Sequence, residues 1–214
     1  MRNLELLLFD MDGVLVDTAS LLQKSYVQLA EFLNARRPTQ KEVKEVMPIS
    51  PKKAIRYLFG NQGYEAAQRF CQYWNVNMQQ ASAFTGINEL IDQLVARNVS
   101  IGTVTSRNNS DTLTLLTAVG LSSYMRTVVT WGRYRVVKPS PACLLVALAD
   151  ARIQASRAAY VGDQAVDMHA AKHAGVLAVG AVWDPYANKE ELEAAGADVI
   201  VERPQEIVSL VEGF

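Results

Sequence analysis

Short apolar segments alternate with stretches of helical periodicity along most of the chain, and this alternation limits the fold most strongly. Residues 4–9 are predominantly apolar, as expected for a strand that is buried on both faces of a sheet. Similar segments follow at residues 100–105, 127–130, 158–161, 177–182 and 199–201. Because helical patterns separate these segments, we predict parallel strands with right-handed crossovers, which is an α/β, Rossmann-like core.

Residues 17–84 interrupt this alternation and show helical patterns alone. A capping-box pattern begins at Thr39, and the pair Ser50-Pro51 predicts the start of another helix. Residues 64–82 predict a further helix, with Tyr64, Ala67, Phe70, Cys71 and Trp74 on one side. We therefore predict a small all-helical domain of residues 17–84, inserted after the first strand of a core made of residues 1–16 and 85–214.

Polar side chains follow the predicted strands at their carboxyl ends, where open parallel sheets bind ligands. Four of these positions carry carboxylates after the first and fourth strands, and others carry hydroxyl groups and an ammonium group. The set comprises Asp10, Asp12, Thr105, Ser106, Lys138, Asp163 and Asp167. Because parallel strands end at one edge of the sheet, we expect these side chains to share one site.

The chemistry of this set favours a magnesium-dependent phosphoryl site. Clustered carboxylates repel one another, and their hard oxygen atoms suit Mg²⁺. A phosphate dianion would be repelled by the same carboxylates unless the metal and Lys138 offset its charge. Phosphoryl transfer depends mainly on such positioning and charge compensation.

Four motifs, in order along the chain, resemble those of the haloacid dehalogenase superfamily. Residues 10–17 match the pattern DxDGVLxD, and residues 104–106 resemble the second motif, a hydroxyl residue after an apolar strand. Residues 138–141 (KPSP) resemble the third motif, and residues 162–167 resemble the fourth, GDxxxD. The segment from 175 to 210 is similar to the tail of phosphoglycolate-phosphatase-like members. This resemblance implies a Rossmann-like core with a helical cap.

The resemblance also implies catalytic roles for the motif residues. Asp10 would be the nucleophile that forms an aspartyl-phosphate, and Asp12 would donate a proton to the leaving oxygen and take one from water. Thr105 would hydrogen-bond a phosphoryl oxygen, together with the backbone N–H of Ser106. Lys138 would neutralise charge on Asp10 and on the phosphoryl group.

A metal site is implied by the same motifs. Asp163 would hold Mg²⁺ together with Asp10 and the backbone carbonyl of Asp12. Asp167 would either bind the ion directly or support the residues that do. The helical insert resembles the cap of the family, in which a loop with a glycine helps to select the substrate. Residues 45–50 correspond to that loop and carry Pro48 and no glycine, which weighs against phosphoglycolate as the substrate.

The predicted function is a Mg²⁺-dependent phosphomonoester hydrolase, phosphoglycolate-phosphatase-like, that acts on a small phosphorylated metabolite. Lys52, Lys53 and Arg56 are candidate contacts for an anionic leaving group. One alternative is a β-phosphoglucomutase-like isomerase, and another is a non-catalytic binding module. A dehalogenase is disfavoured because that family lacks the second aspartate, which this chain retains as Asp12. Phosphoglycolate, sugar phosphates, nucleotides and pyrophosphate are all candidate substrates.

Composition and charge indicate the setting in which the protein works. The formal net charge of −1 provides no basic field for nucleic acid or an anionic membrane. The apolar segment near the N-terminus is short and ends at Asp10, which is unlike a signal peptide or a membrane span. Cys71 and Cys143 lack metal-binding spacing and are predicted to be buried thiols. We therefore expect a cytoplasmic protein without nucleic-acid or membrane partners.

Overall fold

The chain folds into two compact units, one built around a sheet and one made of helices. The computed structural model describes residues 4–47, 49–134 and 137–212, without the side chains of residues 133 and 134. The first unit comprises residues 1–16 and 83–214, and the second comprises residues 17–82. No helix in these described ranges is long and apolar enough to cross a membrane.

A parallel sheet forms the centre of the first unit. Within the described residues it has six strands in the order β3-β2-β1-β4-β5-β6. The strands are β1 (Leu6–Phe9), β2 (Ser100–Thr105), β3 (Met125–Thr130), β4 (Ala158–Gly162), β5 (Leu177–Ala181) and β6 (Val199–Val201). The predicted α/β, Rossmann-like core with a helical unit inserted after the first strand is therefore confirmed.

Strand β1 lies between β2 and β4 and is therefore central to the sheet. Its register aligns Leu6 with Ser100 on one side and with Ala158 on the other. The backbone N–H of Asp10 donates to the carbonyl of Val161 at 2.8 Å, so the pairing with β4 continues one residue past the end of β1. This bond fixes Asp10 at the carboxyl edge of the sheet.

The second unit consists of four helices within its described residues. They are α1 (Thr18–Phe32), α2 (Gln40–Val46), α3 (Pro51–Phe59) and α4 (Gly63–Met78). The predicted capping box is present at the start of α2. The Thr39 hydroxyl accepts a hydrogen bond from the Glu42 N–H, and the Glu42 carboxylate accepts one from the Thr39 N–H at 2.7 Å. This exchange satisfies two N–H groups that the first turn of a helix leaves without partners.

The predicted buried face of α4 is partly wrong. Phe70 and Trp74 are buried as expected, and the Phe70 ring stacks on Tyr26 with a centroid separation of 4.5 Å. Tyr64, however, is 78% exposed, and Cys71 is also exposed, so the prediction of two buried thiols holds for Cys143 alone. The buried positions of α4 follow a spacing of four residues from Ala66, which turns Tyr64 and Cys71 towards solvent.

Helices of the first unit pack against the sheet and form its core. They are α5 (Ile87–Ala96), α6 (Asn109–Ala118), α7 (Trp131–Tyr134), α8 (Ala142–Ala151), α9 (Ala165–Ala174), α10 (Lys189–Ala194) and α11 (Ile207–Glu212). Leu6, Leu8 and Tyr160 on one face of the sheet belong to the same apolar cluster as residues of α8 and α9. Since side chains alternate along a strand, Leu7 and Phe9 point to the opposite face, where they are equally buried.

Candidate active site

A buried lysine links two carboxylates at the carboxyl edge of the sheet. The Lys138 Nζ lies 2.7 Å from Asp10 Oδ2 and 2.6 Å from Asp167 Oδ1. No more than 6% of any of these three side chains is exposed. Asp10 follows β1, Lys138 lies between β3 and α8, and Asp167 belongs to the first turn of α9. The fold therefore joins three distant segments through two buried ion pairs that share Lys138.

Asp163 completes an acidic cluster beside this ion pair. One carboxylate oxygen from each of Asp10, Asp163 and Asp167 lies within 4.8 Å of the others. The Oδ1 atom of Asp163 is buried and has no hydrogen-bond partner within the protein. A buried carboxylate oxygen without a partner is costly, whereas a cation would satisfy it. The donor set is made only of carboxylate oxygens, so these residues fit a hard divalent cation such as Mg²⁺.

The turn after β1 brings the backbone close to Asp163. Gly13 has a φ of 73°, which places it in the left-handed region that favours glycine. A Cβ atom at Gly13 would overlap the carboxylate of Asp163. Hydrogen bonds from the Leu15 and Val16 N–H groups to the Met11 carbonyl, both 3.0 Å long, close this turn. The glycine of the first motif thus leaves room for the carboxylate of the fourth.

Both oxygens of the Asp10 carboxylate are held in place. Oδ1 accepts a hydrogen bond from the Met11 N–H at 2.7 Å, and Oδ2 pairs with Lys138. Asp167 is held more completely: its Oδ2 accepts from the Gln164 N–H at 3.0 Å, and its Oδ1 pairs with Lys138 and accepts from the Tyr160 hydroxyl at 3.4 Å. Protein groups thus occupy both oxygens of Asp167, whereas Asp163 keeps one open.

Burial dominates the electrostatics of the cluster. It raises the pKa of Asp10 to about 7, because Lys138 only partly opposes the loss of solvent and the nearby Asp167 and Asp12 charges add to the rise. Burial also raises the pKa of Asp163 to about 9, assisted by the charges of Asp10 and Asp167. Burial alone would lower the pKa of Lys138, but the Asp10 and Asp167 carboxylates outweigh it and hold this pKa well above its ordinary value. Full ionisation of the cluster would leave an excess of negative charge. Bound protons relieve this charge in the metal-free protein, and a cation would relieve it in their place.

The second motif contributes a buried hydroxyl and a cation that sequence reasoning missed. Thr105 is buried at the end of β2, and its Oγ1 accepts a hydrogen bond from the Arg107 N–H at 3.2 Å. Ser106 is exposed. The Arg107 Nε–H donates to Asp12 Oδ1 at 2.7 Å and to Oδ2 at 2.9 Å. The available signal for Arg107 was its position, a charged residue directly after Thr105-Ser106 at the carboxyl end of a strand.

The cationic residues predicted to contact the leaving group belong to the helical unit. Lys52, Lys53 and Arg56 are all exposed on α3. Their contact with a substrate stays a prediction. Pro48, in the segment predicted to correspond to the family's specificity loop, lies outside the described residues.

The chain matches a known family over most of its length. The family described as haloacid dehalogenase-like hydrolase matches residues 7–181, so the chain belongs to that family. The chain is 27% identical to the phosphoglycolate phosphatase of Pectobacterium atrosepticum over 96% of its own length and 91% of that protein. It is 24% identical to the pyrophosphatase PpaX of Bacillus velezensis, with 98% and 97% of the two chains covered.

A solved structure shows the same fold. A haloacid dehalogenase superfamily hydrolase of subfamily IA, from Geobacter sulfurreducens, superimposes with a TM-score of 0.79 over 98% of this chain and 97% of that one, at 23% identity. The family match and the relatives confirm the predicted superfamily and the predicted class of enzyme, a phosphatase. The predicted cytoplasmic location stays a prediction.

Proposed function

We propose that this protein is a Mg²⁺-dependent phosphomonoester hydrolase that works through an aspartyl-phosphate on Asp10. The observation that carries the proposal is the buried contact of Lys138 with Asp10 and Asp167, beside the open carboxylate oxygen of Asp163. A nucleophile, a counter-charge and a candidate metal ligand thus lie within one cluster. Membership of the haloacid dehalogenase-like family supports the same chemistry.

Two displacements at phosphorus make up the proposed reaction. In the first, a carboxylate oxygen of Asp10 forms a bond to phosphorus while the bond to the leaving oxygen breaks, and Asp12 gives its proton to that oxygen. In the second, water attacks phosphorus, Asp12 takes a proton from the water, and the bond to Asp10 breaks. Lys138 and the Thr105 hydroxyl stabilise the charge on the phosphoryl oxygens in both steps.

Asp10 and Asp163 are the residues best suited to hold the metal ion, together with the backbone carbonyl of Asp12. When bound, Mg²⁺ would offset the negative charge of the phosphoryl group and of the carboxylates. Because Asp167 is fully buried and its two oxygens contact Lys138, the Tyr160 hydroxyl and the Gln164 N–H, we assign it the task of orienting Lys138 and the loop at Gln164. The sequence left open whether Asp167 binds the metal directly or supports the ligands, and we propose the second role.

The helical unit of residues 17–82 serves as a cap in this proposal, close to the range 17–84 predicted from the sequence. Its exposed cations Lys52, Lys53 and Arg56 suit a small metabolite with an anionic leaving group. Phosphoglycolate and pyrophosphate are candidates of this kind, and the relatives named above carry the names of these two activities. The candidate substrates also include sugar phosphates and nucleotides.

Phosphate release from a panel of metabolites with Mg²⁺ tests this function. The Asp10→Asn variant should lose turnover by at least about 10³-fold while keeping its thermal unfolding temperature near that of the unmodified protein. Asp92→Asn, an exposed aspartate on α5, is the matched control and should keep full activity. If Asp10→Asn hydrolyses the best substrate at the normal rate, Asp10 is not the nucleophile. Isomerisation of a sugar phosphate without net phosphate release would support the mutase alternative instead.

A further inference from the structure

Arg107 makes a contact that the proposed reaction does not yet explain. We propose that Arg107 is a positioning residue that fixes the orientation of the Asp12 carboxyl group for proton transfer to the leaving oxygen. This inference rests on the proposed function, because it assigns a task within the same site. Arg107 has no task in the reaction described above.

The geometry of the contact favours orientation over simple charge pairing. One N–H group, at Nε, reaches both oxygens of Asp12, at 2.7 Å and 2.9 Å, and thereby limits rotation of the carboxyl plane. The two side chains are only 18% and 24% exposed. Solvent therefore screens this pair less than an ordinary surface salt bridge, which is worth little.

Arg107 is itself anchored on several sides. Its backbone N–H donates to Thr105 Oγ1 at 3.2 Å, and its carbonyl accepts a hydrogen bond from the Trp131 N–H at 3.1 Å. One Nη atom of the guanidinium lies 3.7 Å from Asp111 Oδ2 on α6. An arginine held at its backbone and at its far end can restrict the side chain that it contacts.

The more basic the leaving oxygen, the more the rate of hydrolysis should depend on the orientation of Asp12. An alkoxide leaving group is strongly basic, so breakage of its bond to phosphorus depends on well-aligned proton donation. A nitrophenolate leaving group is stable as an anion and needs little protonation. Loss of Arg107 should therefore slow the hydrolysis of an alkyl phosphate and spare that of 4-nitrophenyl phosphate.

The test compares kcat for glycerol phosphate and for 4-nitrophenyl phosphate in Arg107→Met. We expect kcat for glycerol phosphate to fall at least about tenfold more than kcat for 4-nitrophenyl phosphate. The Arg107→Lys variant keeps the charge but offers a point ammonium in place of the planar group, so it should recover only part of the loss. Arg97→Met, which removes a surface pair with Glu212, is the matched control and should leave both rates unchanged.

A second comparison separates orientation from a general structural effect. In a protein that already carries Asp12→Asn, the further change Arg107→Met should add no selective loss, since no proton donor remains to be oriented. Equal loss on both substrates, or no loss on either, overturns the inference. If Arg107→Met does not fold, the ratio of the two rates in Arg107→Lys decides: an unchanged ratio overturns the inference. If Asp10→Asn still hydrolyses both substrates, the proposed function fails, which is a separate outcome.

Discussion

At the scale of single residues, Lys138 is a buried charge that two buried carboxylates compensate. Its ammonium group is almost wholly removed from water and contacts two carboxylates from different segments. The removal of a charge from water costs several kcal/mol, and partners must offset that cost. Conversely, the positive charge of Lys138 offsets the cost of burying the Asp10 and Asp167 carboxylates. Lys138 therefore contributes both to the stability of the unit and to the proposed chemistry.

Replacement of Lys138 by methionine should damage stability and activity together. Asp10 and Asp167 would lose their shared counter-charge while staying buried, so we expect the free energy of unfolding to fall by about 3–5 kcal/mol. Urea denaturation measures this loss, and phosphate release should fall by at least about 10²-fold.

The matched control for this variant is Lys172→Met on α9. Lys172 pairs with Asp198 at the surface, where about half of its side chain is exposed. Loss of such a pair should cost less than about 1 kcal/mol. If Lys138→Met unfolds in urea as the control does, Lys138 does not compensate the buried carboxylates.

At the scale of secondary structure, two helix starts in the helical unit offer a direct comparison. The Thr39 side chain at the start of α2 completes a capping box with Glu42. The Ser50 side chain, in the equivalent position before α3, makes no capping hydrogen bond. The sequence predicted a helix start at both places, but only at Thr39 does the side chain make a capping hydrogen bond.

Thr39→Ala should therefore destabilise the helical unit more than Ser50→Ala. We expect a loss of about 1 kcal/mol for the threonine, because a donor in the first turn of α2 loses its partner. The serine variant should change stability by less than about half of that. Chemical denaturation followed by circular dichroism measures both, and equal losses would contradict the role given to the capping box.

Local sequence patterns predicted the bounds of those strands and helices that depend mainly on interactions between neighbouring residues. The strands at 100–105 and 199–201 have the predicted bounds, because β-branched residues, which favour strands, predominate in both short segments. Helix α4 ends at Met78 and not at residue 82, and it buries only part of the predicted face. The buried face of α4 depends on its packing against α1, where Tyr26 stacks on Phe70. The sequence of α4 alone carries no information about the position of Tyr26.

The site was predictable for a different reason. Parallel strands bring their carboxyl ends to one edge, so the order of polar residues along the chain predicted that Asp10, Lys138 and Asp163 would lie together. The pair of Arg107 and Asp12 was not foreseen, because it depends on the direction in which the Arg107 side chain extends from the loop after β2. The open oxygen of Asp163 likewise depends on packing, and no motif encodes it.

At the scale of the whole molecule, the acidic cluster links stability to pH and to metal. Burial raises the pKa values of Asp10 and Asp163 from an ordinary 3.8 to about 7 and about 9. Between pH 4 and 9, roughly, the metal-free folded protein thus binds more protons than the unfolded chain. Its free energy of unfolding should therefore fall as the pH rises through this range.

Mg²⁺ should reverse this loss most strongly at high pH. The ion needs ionised carboxylates, so its binding competes with protons and stabilises the folded state more at about pH 8 than at about pH 6. Thermal unfolding with a chelator and with excess Mg²⁺, at both pH values, measures the effect. Asp163→Asn is the control and should remove most of the Mg²⁺-dependent shift. A shift that is equal at the two pH values would contradict the proposed competition.

The central position of β1 has a consequence for biosynthesis. The first strand of the chain pairs with β4, whose residues 158–162 leave the ribosome long after residues 6–9 do. A nascent chain that ends before Ala158 contains Asp10 but neither Asp163 nor Asp167, and one edge of its first strand has no neighbour. Premature termination between Asp10 and Ala158 therefore yields a fragment that carries the proposed nucleophile but cannot assemble the acidic cluster around it.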